Sequence, residues 1–182
     1  MLELLTAYDR LTRRLAATAP ALLPSLARLV LAGTLLIYYW NSAMTKLGDG
    51  VLGILRPASG AYAQIFPRAF EAASYNVQNL GLFHWAVVEA GMLAEFILPL
   101  LLLIGLFGRL AALGMIGFVL MQSLTDIHGH MADAATVGRW FDGDPGALIW
   151  DQRGLWIMVL LIVVWLGSGP LSADRLLRRA QP

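Results

Sequence analysis

The chain of 182 residues contains no cysteine. That excludes disulfides, thiol nucleophiles, Cys-X-X-Cys redox pairs, thiolate-bound zinc and ordinary all-cysteine iron–sulfur clusters on this chain. Any redox chemistry has to use a bound cofactor, a quinone or a partner subunit. Charge is also scarce: 14% of the residues are Asp, Glu, Lys or Arg, where about a quarter is usual in a soluble domain. There is no Ser-His-Asp set, phosphate-binding glycine loop or zinc-protease motif. There is no low-complexity stretch or convincing internal repeat, and nothing argues for nucleic acid as a partner.

Hydrophobic residues make up 58% of the chain, against about 45–50% in soluble domains. This composition predicts an all-α integral membrane protein with the lipid bilayer as its first partner. Roughly 20 apolar residues cross the hydrocarbon, and four stretches qualify. They are Leu26–Lys46, Leu80–Ile104, Leu110–Leu124 continued through Thr125–Ile127, and Leu155–Leu166 extended backwards by Ala147–Trp150. Pro99 is expected to kink the second span. The turn Gly105-Leu106-Phe107-Gly108-Arg109 joins the second span to the third. The first span is read as retained rather than as a cleaved leader, because the region before it is overlong for a signal sequence.

Ahead of the first span, Leu2, Leu5, Leu11 and Leu15 alternate with Arg10, Arg13 and Arg14. Residues 1–25 therefore read as a basic amphipathic interfacial helix ended by Pro20 and Pro24, either a docking helix or a simple anchor. Residues 26–177 form the four-helix domain and 178–182 a basic tail. The stretch Gly48–Asn79 reads as a linker with at most a short surface helix, and Met131–Gly154 as a polar, aromatic loop. Arginines 10, 13, 14, 28, 109, 175, 178 and 179 fall on one side of the membrane, while Lys46, Arg56, Arg68, Arg139 and Arg153 fall on the other among many acids. The positive-inside rule then puts both termini in the cytoplasm.

Several motifs resemble the DoxX family of membrane proteins. They are Arg28-Leu-Val-Leu-Ala-Gly33 with Ser42-Ala-Met-Thr-Lys46-Leu47, then Glu95 with Leu102-Leu-Ile-Gly-Leu-Phe-Gly-Arg-Leu-Ala-Ala112, and finally Gly169-Pro-Leu-Ser-Ala-Asp-Arg-Leu-Leu177. The resemblance covers most of the chain; at Asn41 the family pattern has Gly. It implies an antiparallel four-helix membrane bundle and a link to oxidoreductase systems. Some members are subunits of thiosulfate:quinone oxidoreductases, and others accompany membrane complexes that handle oxidative stress.

Polar residues inside apolar spans are functional suspects. An up-down bundle brings Lys46, His84, Asp126, His128, His130 and Asp151 to one end. Glu89, Glu95 and Gln122 add to a candidate pocket there. His84 and Glu95 lie three turns apart, about 20° around the axis and roughly 16 Å along it, so they line one stripe without touching. Glu89 is rotated about 120° from Glu95. The two carboxyls read either as a proton relay or as interhelical hydrogen bonds. Asp126 and His130 are separated by about 40° on a helix. With His128 they could ligate a divalent metal, or a carboxylate–histidine hydrogen bond could lock the loop. The run Asp142-Gly-Asp-Pro-Gly146 reads as a turn, since it lacks the other ligands of a calcium loop.

The leading expectation is a redox-linked subunit of a bacterial inner membrane. It would take a quinone at the outer mouth, oriented by Lys46 and His84, with Glu89, Glu95 and Asp126 moving protons. The alternative is a non-enzymatic assembly, chaperone or metal-handling factor for a partner protein, and a homo-oligomer is also open. A transporter is disfavoured by four spans without an inverted repeat.

Overall fold

The computed structural model describes residues 1–50 and 52–179, and over these it is helical, with no strand among the described residues. Helix α1 spans Leu2–Met44, α2 Ser59–Ile65, α3 Pro67–Ala72, α4 Leu82–Ile104, α5 Gly108–Leu124, α6 Ala134–Val137, α7 Gly154–Leu166 and α8 Ala173–Arg179. A wide π-helical turn, Thr125–Gly129, continues α5, and another, Leu148–Arg153, leads into α7. With those turns, α1, α4, α5 and α7 are each long and apolar enough to cross a membrane.

These four helices form a closed ring: α1 packs on α4, α4 on α5, α5 on α7 and α7 on α1. The inner face of α1 carries Ala27, Arg28, Leu31, Ala32, Leu35, Tyr39 and Ala43, the three- and four-residue spacing of one helical face. It meets Leu102 of α4, Ala111, Ala112, Met115 and Val119 of α5, and Leu160 and Val163 of α7. The alanines let the backbones approach closely. The outward faces carry exposed Leu29, Ile37, Ile97, Leu113, Leu120, Leu155 and Met158. So much exposed apolar surface would drive aggregation in water; against hydrocarbon it costs nothing.

The four expected spans are all present, with ends shifted by a few residues. The expected break before the first span is not. α1 runs through Pro20 and Pro24 without interruption, about 65 Å at 1.5 Å per residue. A proline inside a helix frees one carbonyl four residues back. Here Ala16 and Pro20 lose a partner in a region where water can supply one, and Pro24 itself packs beside Gly169. The first 19 residues form an arm that is exposed almost throughout. At the other terminus α8 crosses the boundary expected at residue 178, and positions 180–182 of the expected tail lie outside the described residues.

The expected linker 48–79 is more ordered than a linker. Its helices α2 and α3 fold over α4 through a second core of Ala61, Tyr62, Phe70 and Val88. The main-chain N–H of Ala58 donates to the Lys46 carbonyl, and Gln64 Nε2 donates to Thr45 Oγ1, tying this cap to the end of α1.

Candidate functional site

The charged groups divide between the two ends of the bundle. At one end Arg28, only 5% exposed, spends its guanidinium on main chain. Nε donates to the Leu102 carbonyl and Nη2 to that of Leu103, each at 2.7 Å. Nη1 donates to the carbonyls of Ser168 and Leu171 at 2.5 and 2.8 Å. The Leu102 and Leu103 carbonyls end α4, where a helix leaves acceptors over, those of Ser168 and Leu171 lie in the turn between α7 and α8, and Arg28 bonds all four from inside. Gly105 closes α4 in the left-handed conformation, with φ of +67°, and a Cβ there would collide with the guanidinium.

Asp174 completes this latch. It accepts the N–H groups of Phe107 and Gly108 at 2.7 and 3.0 Å, so it caps α5, and it accepts the Ser168 hydroxyl at 2.5 Å. Burial pushes the carboxyl up, but the hydrogen bonds from Ser168, Gly108 and Phe107, with the Arg178 charge nearby, outweigh it and hold Asp174 below the ordinary carboxylate range. Two motifs far apart in sequence, around Arg28 and Ser168–Asp174, thus build one clasp.

At the opposite end the charges meet side chains across helices. Lys46, just past α1, donates to both Glu95 oxygens at 3.0 and 2.9 Å. Ser42 Oγ donates to Glu95 and accepts from Lys46. Lys46 and Glu95 are 4% and 3% exposed. Pro99 contributes here too: it lacks the N–H that would bond the Glu95 carbonyl.

A second ion pair spans α5 and α7. Arg153, 2% exposed, donates to Asp126 at 2.6 Å and to Ser123 Oγ at 3.1 Å. Tyr39 is fully buried on α1, one turn before the Ser42 and Ala43 positions. Its hydroxyl donates to Gln122 Oε1 at 3.2 Å, and Gln122 Nε2 donates to Tyr38 Oη at 3.3 Å. Tyr38 is exposed on the side that faces lipid, its ring 6.0 Å from that of Trp156.

Four expected pocket residues therefore gather in this half: Lys46, Glu95, Gln122 and Asp126. Three others do not join them. His84 stacks edge-on against Phe66 at 4.9 Å, under the α2–α3 cap, with Nδ1 buried and without a hydrogen-bond partner among the described residues. It does not share a space with Glu95. Glu89 is 7% exposed, and neither carboxyl oxygen has a hydrogen-bond partner among the described residues. It faces Tyr62, whose phenol is pushed up by burial and then by the Glu89 charge. Asp151 accepts the Ala147 N–H at 2.9 Å and shapes the entry to α7.

The three residues weighed as metal ligands are separated. Asp126 is taken by Arg153, His130 Nε2 meets the Gln64 carbonyl at 2.9 Å, and His128 is exposed. Among the described residues no three His, Cys, Asp or Glu side chains are grouped to hold a metal. The cause is local. The π-helical turn at Thr125–Gly129 does not follow the 3.6-residue repeat that aligned Asp126 with His130. The run Asp142–Gly146 is a turn in which Asp142 accepts the Asp144 N–H and Asp144 accepts that of Gly146.

Sequence reasoning missed Tyr39, Ser42 and Ser123 as members of the network, placed Arg153 at this mouth without its partner Asp126, and took Arg28 for the marker of a span end. The signal for Arg28 was present, since a charge followed immediately by a long apolar run is costly unless it has partners. No family model, curated protein or solved structure matches the chain.

Proposed function

We propose that the protein is a DoxX-like subunit of a bacterial inner membrane that serves quinone-linked redox chemistry. It takes the quinone headgroup from the lipid at the face formed by α1, α5 and α7. One observation carries this reading: the hydrogen bonds Tyr39 to Gln122 to Tyr38 all donate in one direction, from the buried ion pairs towards the lipid. Tyr38 accepts from Gln122, so its own O–H is left to donate to an acceptor arriving from the bilayer. A quinone carbonyl is such an acceptor, and the Trp156 ring beside Tyr38 offers a stacking surface. Hydrogen bonds in a chain strengthen one another in a low dielectric.

In this reading Lys46 and His84 do not orient the ligand: Lys46 is committed to Glu95, and His84 lies under the cap. The paired Arg153–Asp126 and Lys46–Glu95 hold charge next to Tyr39 and set the polarity of the chain. Reduction of a quinone takes two electrons and two protons. The electrons come from a partner redox subunit, since this chain has no cysteine-ligated centre. The arginine distribution supports a cytoplasmic side for both termini.

The test is titration of a short-chain quinone into the purified protein, read by tryptophan fluorescence, for the wild type and Tyr38→Phe. Loss of one hydrogen bond of about 0.5–1.5 kcal/mol weakens binding roughly 2- to 12-fold in Tyr38→Phe. Linear, non-saturable quenching that is the same in both proteins defeats the proposal.

A second reading is favoured by the arm of α1. Leu4, Tyr8, Leu11 and Leu15 are all exposed along one side of it. An assembly factor that docks a partner subunit would use such a face. Crosslinking from position 11 to a single stoichiometric partner, together with quinone insensitivity, favours this reading over the first.

A further inference from the structure

At the Arg28 end of the bundle an open cleft of about 550 Å³ lies between the α1 arm, the start of α5 and the turn from α7 to α8. Pro20, Ala21, Leu110 and Leu166 form its apolar wall, and Arg109, Arg175 and Arg178 bring three cations to it. The one acid in the lining, Asp174, has its oxygens occupied by the N–H groups of Phe107 and Gly108 and by the Ser168 hydroxyl. None of the three arginines is in an ion pair among the described residues. Arg109 places one nitrogen on the Trp165 carbonyl at 3.2 Å and keeps its remaining donors. A guanidinium fork matches the oxygens of a phosphate or carboxylate in pairs.

Position adds a second constraint. The cleft sits where the apolar helices end, at the depth of lipid headgroups. Leu110 and Leu166 are exposed just inside that level, so an occupant meets cations at one end and hydrocarbon at the other. This end also carries most of the arginines of the chain, and the positive-inside rule assigns such an end to the leaflet that is rich in anionic lipid. Asp174 and Ser168 of the latch line the cleft, so an occupant would brace the closure of the bundle.

We propose that this cleft binds the phosphate-bearing headgroup of an anionic amphiphile, with Arg109, Arg175 and Arg178 on the phosphate and the acyl chain leaving along Leu110 and Leu166. The site does not depend on the quinone reading, because it lies at the other end of the bundle.

The test uses the full chain in nanodiscs of phosphatidylcholine alone or with phosphatidylglycerol, followed by transfer to detergent and native mass spectrometry. The wild type retains one phosphatidylglycerol per chain and no phosphatidylcholine. Arg175→Gln/Arg178→Gln, which leaves Arg109 on the Trp165 carbonyl, retains at least tenfold less. Arg10→Gln/Arg13→Gln/Arg14→Gln removes more charge from the arm and retains as much as the wild type. A melting curve run beside each variant verifies folding, and Arg178→Gln alone, expected to give an intermediate loss, serves if the double variant melts early. Soluble glycerol phosphate tells the sources apart. If it displaces the lipid at millimolar concentration, the phosphate group alone is recognised; if it does not, the acyl chain is part of the ligand. Equal retention by wild type and the double variant, or equal loss in the arm variant, overturns the proposal.

Discussion

The two ends of this bundle use buried charge in different ways. At one end Arg28 and Asp174 bond mainly to the main chain: four carbonyls on the arginine, two N–H groups on the aspartate. At the other, Lys46 faces Glu95 and Arg153 faces Asp126, side chain to side chain. Main-chain acceptors at helix ends exist whatever the sequence, so the first arrangement serves the fold. A side-chain ion pair is replaceable by apolar residues without loss of stability in many proteins. Where one is kept inside a membrane helix bundle, a role beyond stability is the economical reading. The difference between the ends is thus a difference between charge bonded to main chain that closes the fold and charge paired side chain to side chain, beside which the proposed quinone site is set.

The sharpest contrast comes from removing each cation. Arg28→Met strands the carbonyls of Leu103, Ser168 and Leu171, each worth roughly 1–3 kcal/mol when left unsatisfied, while Leu102 keeps the Gly105 N–H. The expected loss is about 4 kcal/mol or more in detergent unfolding, and Arg28→Lys recovers less than half of it because an ammonium cannot span four acceptors on two turns. Glu95→Gln leaves Lys46 buried without a counter-charge and is expected to cost about 3 kcal/mol. The double substitution Lys46→Met/Glu95→Met then restores most of that loss. If the double variant is as unstable as the single one, the distinction between the ends fails.

Asp174→Asn has a smaller effect, about 1 kcal/mol, since the site is partly open to solvent and screened. Its signature is pH dependence. A carboxyl held below its unfolded value contributes stability at neutral pH. That contribution begins to fade as pH falls below the ordinary carboxylate value and is lost once pH passes the folded value. Wild-type melting therefore falls on acidification in this window, and Asp174→Asn shows a shallower fall.

The smallest change is expected at Glu89. It shares α4 with Glu95, six residues away, yet neither of its oxygens has a hydrogen-bond partner among the described residues. Glu89→Gln removes no hydrogen bond and is expected to change stability by less than about 0.5 kcal/mol, or to raise it. A loss as large as that of Glu95→Gln contradicts the contrast between the two carboxyls.

Much of the fold was readable from the chain because membrane spans announce themselves by length and hydropathy. The turn at Gly105–Arg109 was equally plain from its two glycines. The continuity of α1 was not, since Pro20 and Pro24 read as terminators and their helical tolerance depends on what surrounds the freed carbonyls. Within the site, Lys46 and Glu95 each stood out as a polar residue in an apolar stretch, but nothing local joins positions 49 apart. Arg28 illustrates the same limit: its partners come from the end of α4 and the turn after α7, and an arginine beside a span reads first as an interfacial anchor. The histidines at 128 and 130 misled because a π-helical turn replaced the regular helix on which their geometry was drawn.

Gln122 offers the most direct test, because it joins Tyr39 to Tyr38 and belongs to neither ion pair. Short-chain quinone binding and thermal unfolding measured on the same preparations of wild type and Gln122→Leu decide the matter. The account predicts a loss of binding no larger than that of Tyr38→Phe, roughly 2- to 12-fold, in protein that is still folded at the assay temperature, the stranded Tyr39 hydroxyl costing about 1–3 kcal/mol. Unchanged binding, or a loss that only tracks a drop in stability, contradicts the assignment of this end of the bundle to chemistry.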